Sequence, residues 1–299
     1  MVIFQKEKVI NLIEIKNIRY IIKCMSSNFK RLLSNNISKT ILVIYIILVF
    51  FWFWILTHGL EEGIFNNLYG VLYPLIPLIA GLYGVIWISK KWGGYKSLMG
   101  KGAFFLSLGL LAEVFGQWAW SYYVIIEKIE VPYPSIADIG YFAIVPLYSY
   151  AMYNFAKASG IEIGLKSFLG KIQAIIIPLI MVSVAYFLFL RNIPLDFSDP
   201  LKTFLDFGYP GFEIIAVSLA ILTYGLSRNI LGGIMRYGIL FIVFALIFQY
   251  VTDYTFLYRV GVGTYYNGGI VDLLYTTSFM IMALAIINLG SSFEKIKNS

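Results

Sequence analysis

Residues 40–56 read TILVIYIILVFFWFWIL, and this stretch decides the fold: seventeen residues pass without a charge, a glycine or a proline. A helix needs roughly 20 mostly apolar residues to cross a hydrocarbon core, and this run with its flanks supplies them. Seven more runs of the kind follow, at 68–89, 102–126, 135–156, 172–190, 203–226, 237–258 and 270–289. The connections are short. The sequence therefore predicts an all-α polytopic membrane helix bundle of about eight transmembrane helices, paired as antiparallel hairpins.

Composition points the same way. Of 299 residues 60% are hydrophobic and 13% charged, against about 45–50% and 25% in soluble domains. Mean hydropathy is +0.80. A single cysteine, Cys24, excludes an intramolecular disulfide and multi-cysteine metal centres, and a single histidine, His58, excludes bis-histidine haem. No glycine-rich phosphate loop is present. No cofactor, no metal and no catalytic constellation are expected, and no span interior carries a lysine for a retinal Schiff base. The chain reads as not an enzyme.

The 23 Lys and Arg residues set the orientation. With a cytoplasmic N-terminus only Lys128, Arg191, Lys202 and Arg259 fall outside, a strong positive-inside bias. It accounts for the net charge of +7 without nucleic acid as a partner. The expectation is a multi-pass protein of the cell membrane with both termini cytoplasmic and the lipid bilayer as its first partner. Residues 1–38 form a basic cytoplasmic segment. Its Ile3, Val9, Ile10 and Ile13, mixed with lysines, suit an amphipathic helix on the inner leaflet; the alternative is that translation starts at Met25. Residues 39–290 are the eight-helix domain, and 291–299 a short cytoplasmic tail.

Three even-numbered spans begin alike: Asp138-Ile-Gly-Tyr141, Asp206-Phe-Gly-Tyr209 and Asp272-Leu-Leu-Tyr275. The second span keeps Tyr73, with Gly70 in the acid's place. The tyrosines are spaced by 68, 68 and 66 residues, which predicts an internal repeat of four helical hairpins. Ser135-x-x-Asp138 and Thr203-x-x-Asp206 also read as capping boxes. Capping and a shared ligand mouth are compatible readings, because capped helices around one axis bring their acids together.

Deeper polar residues form stripes. Glu113 and Gln117 share one face of the third span, and Gln249 and Asp253 one face of the seventh. Asp206, Tyr209 and Glu213 share a face of the sixth, with Glu213 about 15 Å below its outer end. Such stripes must point to the bundle interior. With no basic residue in the spans, Glu113 and Glu213 must be protonated, cation-bound or wetted. Two readings stand: interhelical glue, or a pocket for a small cationic ligand or protons built from Glu113, Gln117, Asp138, Tyr141, Asp206, Tyr209, Glu213, Gln249, Asp253, Asp272 and Tyr275. Trp118, Trp120, Tyr122 and Tyr123 suit an aromatic belt or a cage for a quaternary amine. Gly81 and Gly84 suit close helix contact, without a clean Gly-x-x-x-Gly motif.

The run Val131-Pro-Tyr-Pro-Ser-Ile-Ala-Asp138 resembles a stretch in the multi-pass membrane sensor modules that precede diguanylate cyclase or histidine kinase domains. The matching positions are Pro134, Ser135, Ala137 and Asp138, then Tyr209, Pro210 and Glu213, then Asp272. The similarity covers about residues 102–289. It implies a sensory or ligand-binding module; about ten residues follow the last span, so signalling would pass through a separate partner. The alternatives are a proton- or cation-coupled secondary transporter, or a structural subunit of a membrane complex.

Overall fold

The computed structural model describes residues 30, 32–59, 63–188, 190–192, 198–227 and 233–297. The amphipathic segment and the Met25 start lie outside the described residues. Helices form over every apolar run and extend it by a few residues at one or both ends. They are α1 (Asn36–Thr57), α2 (Ile64–Leu72), α3 (Leu75–Tyr83), α4 (Leu98–Tyr122), α5 (Ile136–Ala158), α6 (Phe168–Leu188), α7 (Pro200–Ser227), α8 (Gly233–Gly261) and α9 (Ile270–Lys297). No strand occurs among the described residues. The protein is an all-α polytopic membrane bundle. Residues 291–297 continue α9 as helix.

Among the described residues seven helices are long and apolar enough to cross a membrane, where about eight are expected. The exception is α5. It has the length, 23 residues, but four tyrosines, Ser149 and Asn154 make it more polar than the rest. Its neighbours explain how it is accommodated: α4 and α7 pack along it, so protein covers much of what lipid would otherwise touch.

The helix order around the bundle makes a ring. Each of α3, α4, α5, α7, α8 and α9 packs on the next, and α9 returns to α3. Outside it, α1 leans on α9 and α3, and α6 leans on α7. These two are the most lipid-facing spans, with only 17% and 11% of their apolar stretches buried.

The elements α2 and α3 are one span, Ile64–Lys91, broken at Tyr73 and Pro74. Pro74 has no N–H, so the Gly70 carbonyl loses its helical donor. Gln117 of α4 supplies the replacement through Nε2 at 3.3 Å. The indole N–H of Trp118 reaches the Val71 carbonyl at 3.2 Å.

The α4–α5 seam rests on glycines seven residues apart. A Cβ at Gly102 would lie 2.6 Å from the Phe155 ring, one at Gly109 2.4 Å from Tyr148, and one at Gly116 2.7 Å from Tyr141. From the other side, a Cβ at Gly140 would meet the Gly116 nitrogen at 2.4 Å. Each glycine of α4 thus seats one aromatic ring of α5, and the backbones approach closely. Gly81 and Gly84 do face α4, where a Cβ would collide with Leu111 and Ser107. The glycine motif missing from the sequence reading is this heptad, not a Gly-x-x-x-Gly.

Gly109→Val is expected to lower stability by roughly 1–3 kcal/mol, the usual effect of overpacking. Adding Tyr148→Leu makes room, so the double variant should lose less than the two singles combined. Thermal denaturation of the detergent-solubilised protein, followed by size-exclusion chromatography, reads both. Strictly additive losses would mean that ring and glycine do not meet.

Candidate functional site

A cavity of about 280 Å³ lies inside the ring, towards the end where α5, α7 and α9 begin and α4 and α8 finish. All eleven residues singled out in the sequence line it. Glu113 and Gln117 come from α4, Asp138 and Tyr141 from α5, and Asp206, Tyr209 and Glu213 from α7. Gln249 and Asp253 come from α8, and Asp272 and Tyr275 from α9. Six carboxylates face this space, and among the described residues no Lys, Arg or His lines it.

Most of these groups are held by partners, and those partners divide the set. Asp138 closes a capping box with Ser135, accepting from the Ser135 N–H at 2.6 Å. Its other oxygen accepts from the Tyr209 hydroxyl at 2.8 Å, tying α5 to α7. Asp206 does not cap. The expected box with Thr203 is not made, because α7 starts three residues earlier, at Pro200, where Asp199 accepts from the Lys202 N–H at 3.0 Å. Asp206 accepts instead from the Tyr133 hydroxyl at 2.7 Å.

Asp272 fastens the loop before α9. One oxygen accepts from the Gly268 N–H at 2.7 Å, the other from the Tyr265 hydroxyl at 3.3 Å. Gly268 sits at φ +72°, with the Asn66 backbone 3.0 Å from where a Cβ would stand; only glycine suits both conditions. Asn66 Nδ2 donates to the Asn267 carbonyl at 2.9 Å and Trp52 Nε1 to the Gly269 carbonyl at 3.0 Å. The loop is therefore clasped by α1 and α2.

Both glutamines are hydrogen-bonded through nitrogen and oxygen alike. Gln117 gives its amide N–H to Gly70 and accepts from the Tyr141 hydroxyl at 2.6 Å. Gln249 donates to both oxygens of Asp253, at 3.0 and 3.2 Å, and accepts from Ser278. Both glutamines thus join neighbouring helices while lining the cavity.

The two glutamates differ. Glu113 is 4% exposed, yet among the described residues no donor reaches its carboxylate, and the charge acting on it is another acid, Asp253. Glu213 lies within hydrogen-bonding reach of Asp253, while its Oε2 is buried and meets no donor. A buried polar group without a partner is rare enough to need a reason.

Aromatic rings complete the wall. Trp120 meets Tyr265 edge-on at 6.4 Å, Tyr265 meets Phe256 at 5.0 Å, and Phe256 meets Tyr275 at 6.1 Å. Tyr73, at the break between α2 and α3, also lines the cavity, as do Ile144, Val145, Leu257 and Val260. Trp118 and Tyr122 are exposed, as a belt requires. Burial, then the hydrogen bond to Asp206, pushes the Tyr133 phenol up; burial, then the Asp272 charge, does the same to Tyr265. Both remain neutral donors. His58 is exposed at the end of α1, its Nδ1 2.8 Å from the Trp54 carbonyl and its ring against the Trp54 indole.

Sequence reasoning missed Tyr133 and Tyr265 because both lie in loops, where no periodicity marks a face. Tyr73 and Trp120 were noticed, for the repeat and the belt. Comparison with known proteins returns no matching family model, no matching curated protein and no matching solved structure.

Asp272→Ala removes the acceptor of a backbone N–H and of a phenol, and should lower stability by about 1.5–3 kcal/mol. Tyr265→Phe should lower it less, since the backbone bond survives. Thermal denaturation of the two variants ranks them, and faster proteolytic cleavage within residues 262–269 should accompany only the first. Equal losses would mean that the Gly268 bond contributes little.

Proposed function

We propose that the protein is a sensory or ligand-binding membrane module whose acidic cavity takes a small organic cation. The observation that carries this reading is Glu113: a carboxylate 4% exposed, lining the cavity and reached by no donor among the described residues. An ion so placed is strongly disfavoured unless a charge opposes it, and among the described residues the surrounding wall offers acids, amides, phenols, the Trp120 indole and hydrocarbon but no basic group. A ligand ammonium group supplies that charge. Phe256, Tyr275 and Trp120 present ring surface of the sort that attracts such cations.

An organic cation suits the site better than a metal ion. Among the described residues no group of three or more His, Cys, Asp or Glu side chains is placed to hold a metal, and much of the wall is aromatic or aliphatic. No catalytic step is assigned.

The bundle sits in the cell membrane with both termini cytoplasmic and eight crossings, α5 included, so the cavity faces outwards; the positive-inside bias supports this. The repeat reading is supported by Tyr73, Tyr141, Tyr209 and Tyr275 all lining one cavity. The Pro-Ser-x-Ala-Asp run supports the sensor reading through resemblance alone. Cation-coupled transport is the second reading, favoured by one observation: the span Ile64–Lys91 is interrupted beside the cavity, and discontinuous helices recur at transporter binding sites.

Titrating the purified full-length chain with tetramethylammonium in a calorimeter tests the reading. Wild type should show saturable binding, and Glu113→Gln should weaken it at least about 30-fold, on the order of 2 kcal/mol for a buried charge partner. Absence of saturable binding by wild type would overturn the cation site. Accumulation of the ion in proteoliposomes would decide for transport over sensing.

A further inference from the structure

The Glu213–Asp253 pair stands apart from the rest of the cavity wall. Glu213 of α7 and Asp253 of α8 lie within hydrogen-bonding reach of one another, and an ionised carboxylate can only accept. Such a contact needs a proton between the two groups, or a cation in its place.

The surroundings say which oxygen bears the proton. Both oxygens of Asp253 accept from Gln249 Nε2, at 3.0 and 3.2 Å, and Tyr275 is in reach as a further donor. Glu213 has no such support; its Oε2 meets no donor. The charge is better placed on Asp253 and the proton on Glu213.

Every element packed around the pair presents either an acid or a phenol. Glu113 faces it from α4, and Asp138, Tyr141 and Tyr148 from α5. Tyr209 shares α7, Tyr250 and Tyr254 share α8, and Asp272 and Tyr275 stand on α9. No basic side chain is among them. Phenols are neutral near pH 7, so among the described residues nothing can replace the proton, and a cation arriving in the cavity can.

A second, smaller chamber of about 30 Å³ touches the same two carboxylates, walled by Tyr148, Tyr250, Ala216 and Leu246. At one water per roughly 10–15 Å³ of such volume, it has room for about two water molecules. The pair therefore borders both the ligand cavity and a chamber wide enough for water, so water can stand beside Glu213 to take its proton.

We infer that the Glu213–Asp253 pair holds one proton in the ligand-free protein and releases it when an organic cation binds, so that binding exchanges a cation for a proton. This rests on the cavity being the cation site proposed above. In the exchange the Glu213 O–H bond breaks, its electron pair stays on the carboxylate, and the proton passes to water. The ligand brings one positive charge as one leaves, and the net charge of the site does not change. A low-dielectric cavity can tolerate that exchange far better than the addition of a charge.

The experiment is calorimetric titration of the full-length protein with tetramethylammonium in two buffers of different ionisation enthalpy. This probe has no proton of its own, so any proton detected comes from the protein. Wild type should release about one proton per ion bound, and the apparent Kd should tighten up to about tenfold per pH unit while the pair remains protonated. Glu213→Gln, whose amide replaces the carboxylic acid as donor to Asp253, should bind more weakly, release no proton and lose the pH dependence. Asp253→Asn, the second variant should Glu213→Gln not fold, should do the same. Binding by wild type without proton release would overturn the exchange and leave the cation site standing, as would release that survives in both variants. No binding by wild type would overturn the site itself, and the exchange with it.

Discussion

The contact on which the rest of the structure depends is the seam between α4 and α5. Gly102, Gly109 and Gly116 leave three hollows on one face of α4, and Phe155, Tyr148 and Tyr141 fill them. In a membrane no hydrophobic force drives helix against helix, so dense packing and interhelical hydrogen bonds must hold them together. The last step of this seam is also the first wall of the cavity. Tyr141, seated on Gly116, places its hydroxyl on Gln117 at 2.6 Å, and Gln117 in turn supplies the donor that Pro74 withholds from Gly70. One chain of contacts thus fixes α5 on α4, α4 on the broken span, and the tyrosine face of α5 towards the interior.

Satisfied and unsatisfied polar groups then separate scaffold from site. Asp138, Asp206 and Asp272 are each anchored by a tyrosine, and the first and last also by a backbone N–H. These aspartates join neighbouring elements and keep the cavity end of the ring in register. Glu113 and Glu213 lie deeper and lack that support. The same residue class therefore stands in two settings: the acids near helix starts build the frame, and the two a few turns below it are left without such donors among the described residues.

Much of this was legible in the sequence, for a physical reason. Lipid imposes a long apolar run on every exposed span, so α1 and α6, the most lipid-facing helices, are the plainest to read at 40–56 and 172–190. The same constraint forces polar stripes inwards, which is why three stripes and three Asp-x-x-Tyr starts sufficed to collect eleven residues around one space. Where lipid imposes nothing, the sequence says less. α5 forms over the run read at 135–156, but it is shielded by its neighbours and falls below the apolarity of the other spans. Thr203-x-x-Asp206 has the capping pattern, but Asp199 and Pro200 offer an earlier start, and the helix takes it. Tyr133 and Tyr265 reach the cavity from loops, through register that only tertiary packing sets.

The polarity of α5 and the existence of the cavity are one fact seen from two sides. A helix bearing Asp138, four tyrosines and Asn154 cannot face hydrocarbon around its whole circumference without leaving polar groups unpaired. The ring relieves part of this by setting α5 between α4 and α7, turning the Tyr141 hydroxyl onto Gln117 and burying Tyr148, while Tyr150 and Tyr153 stay exposed. Lining that interior with hydrocarbon would remove the need for such a helix, and one with the apolarity of α1 would serve in its place. The retained polarity is what the proposed cation site requires of the interior, since the bundle's own packing is supplied by the glycine seam and the apolar faces around it.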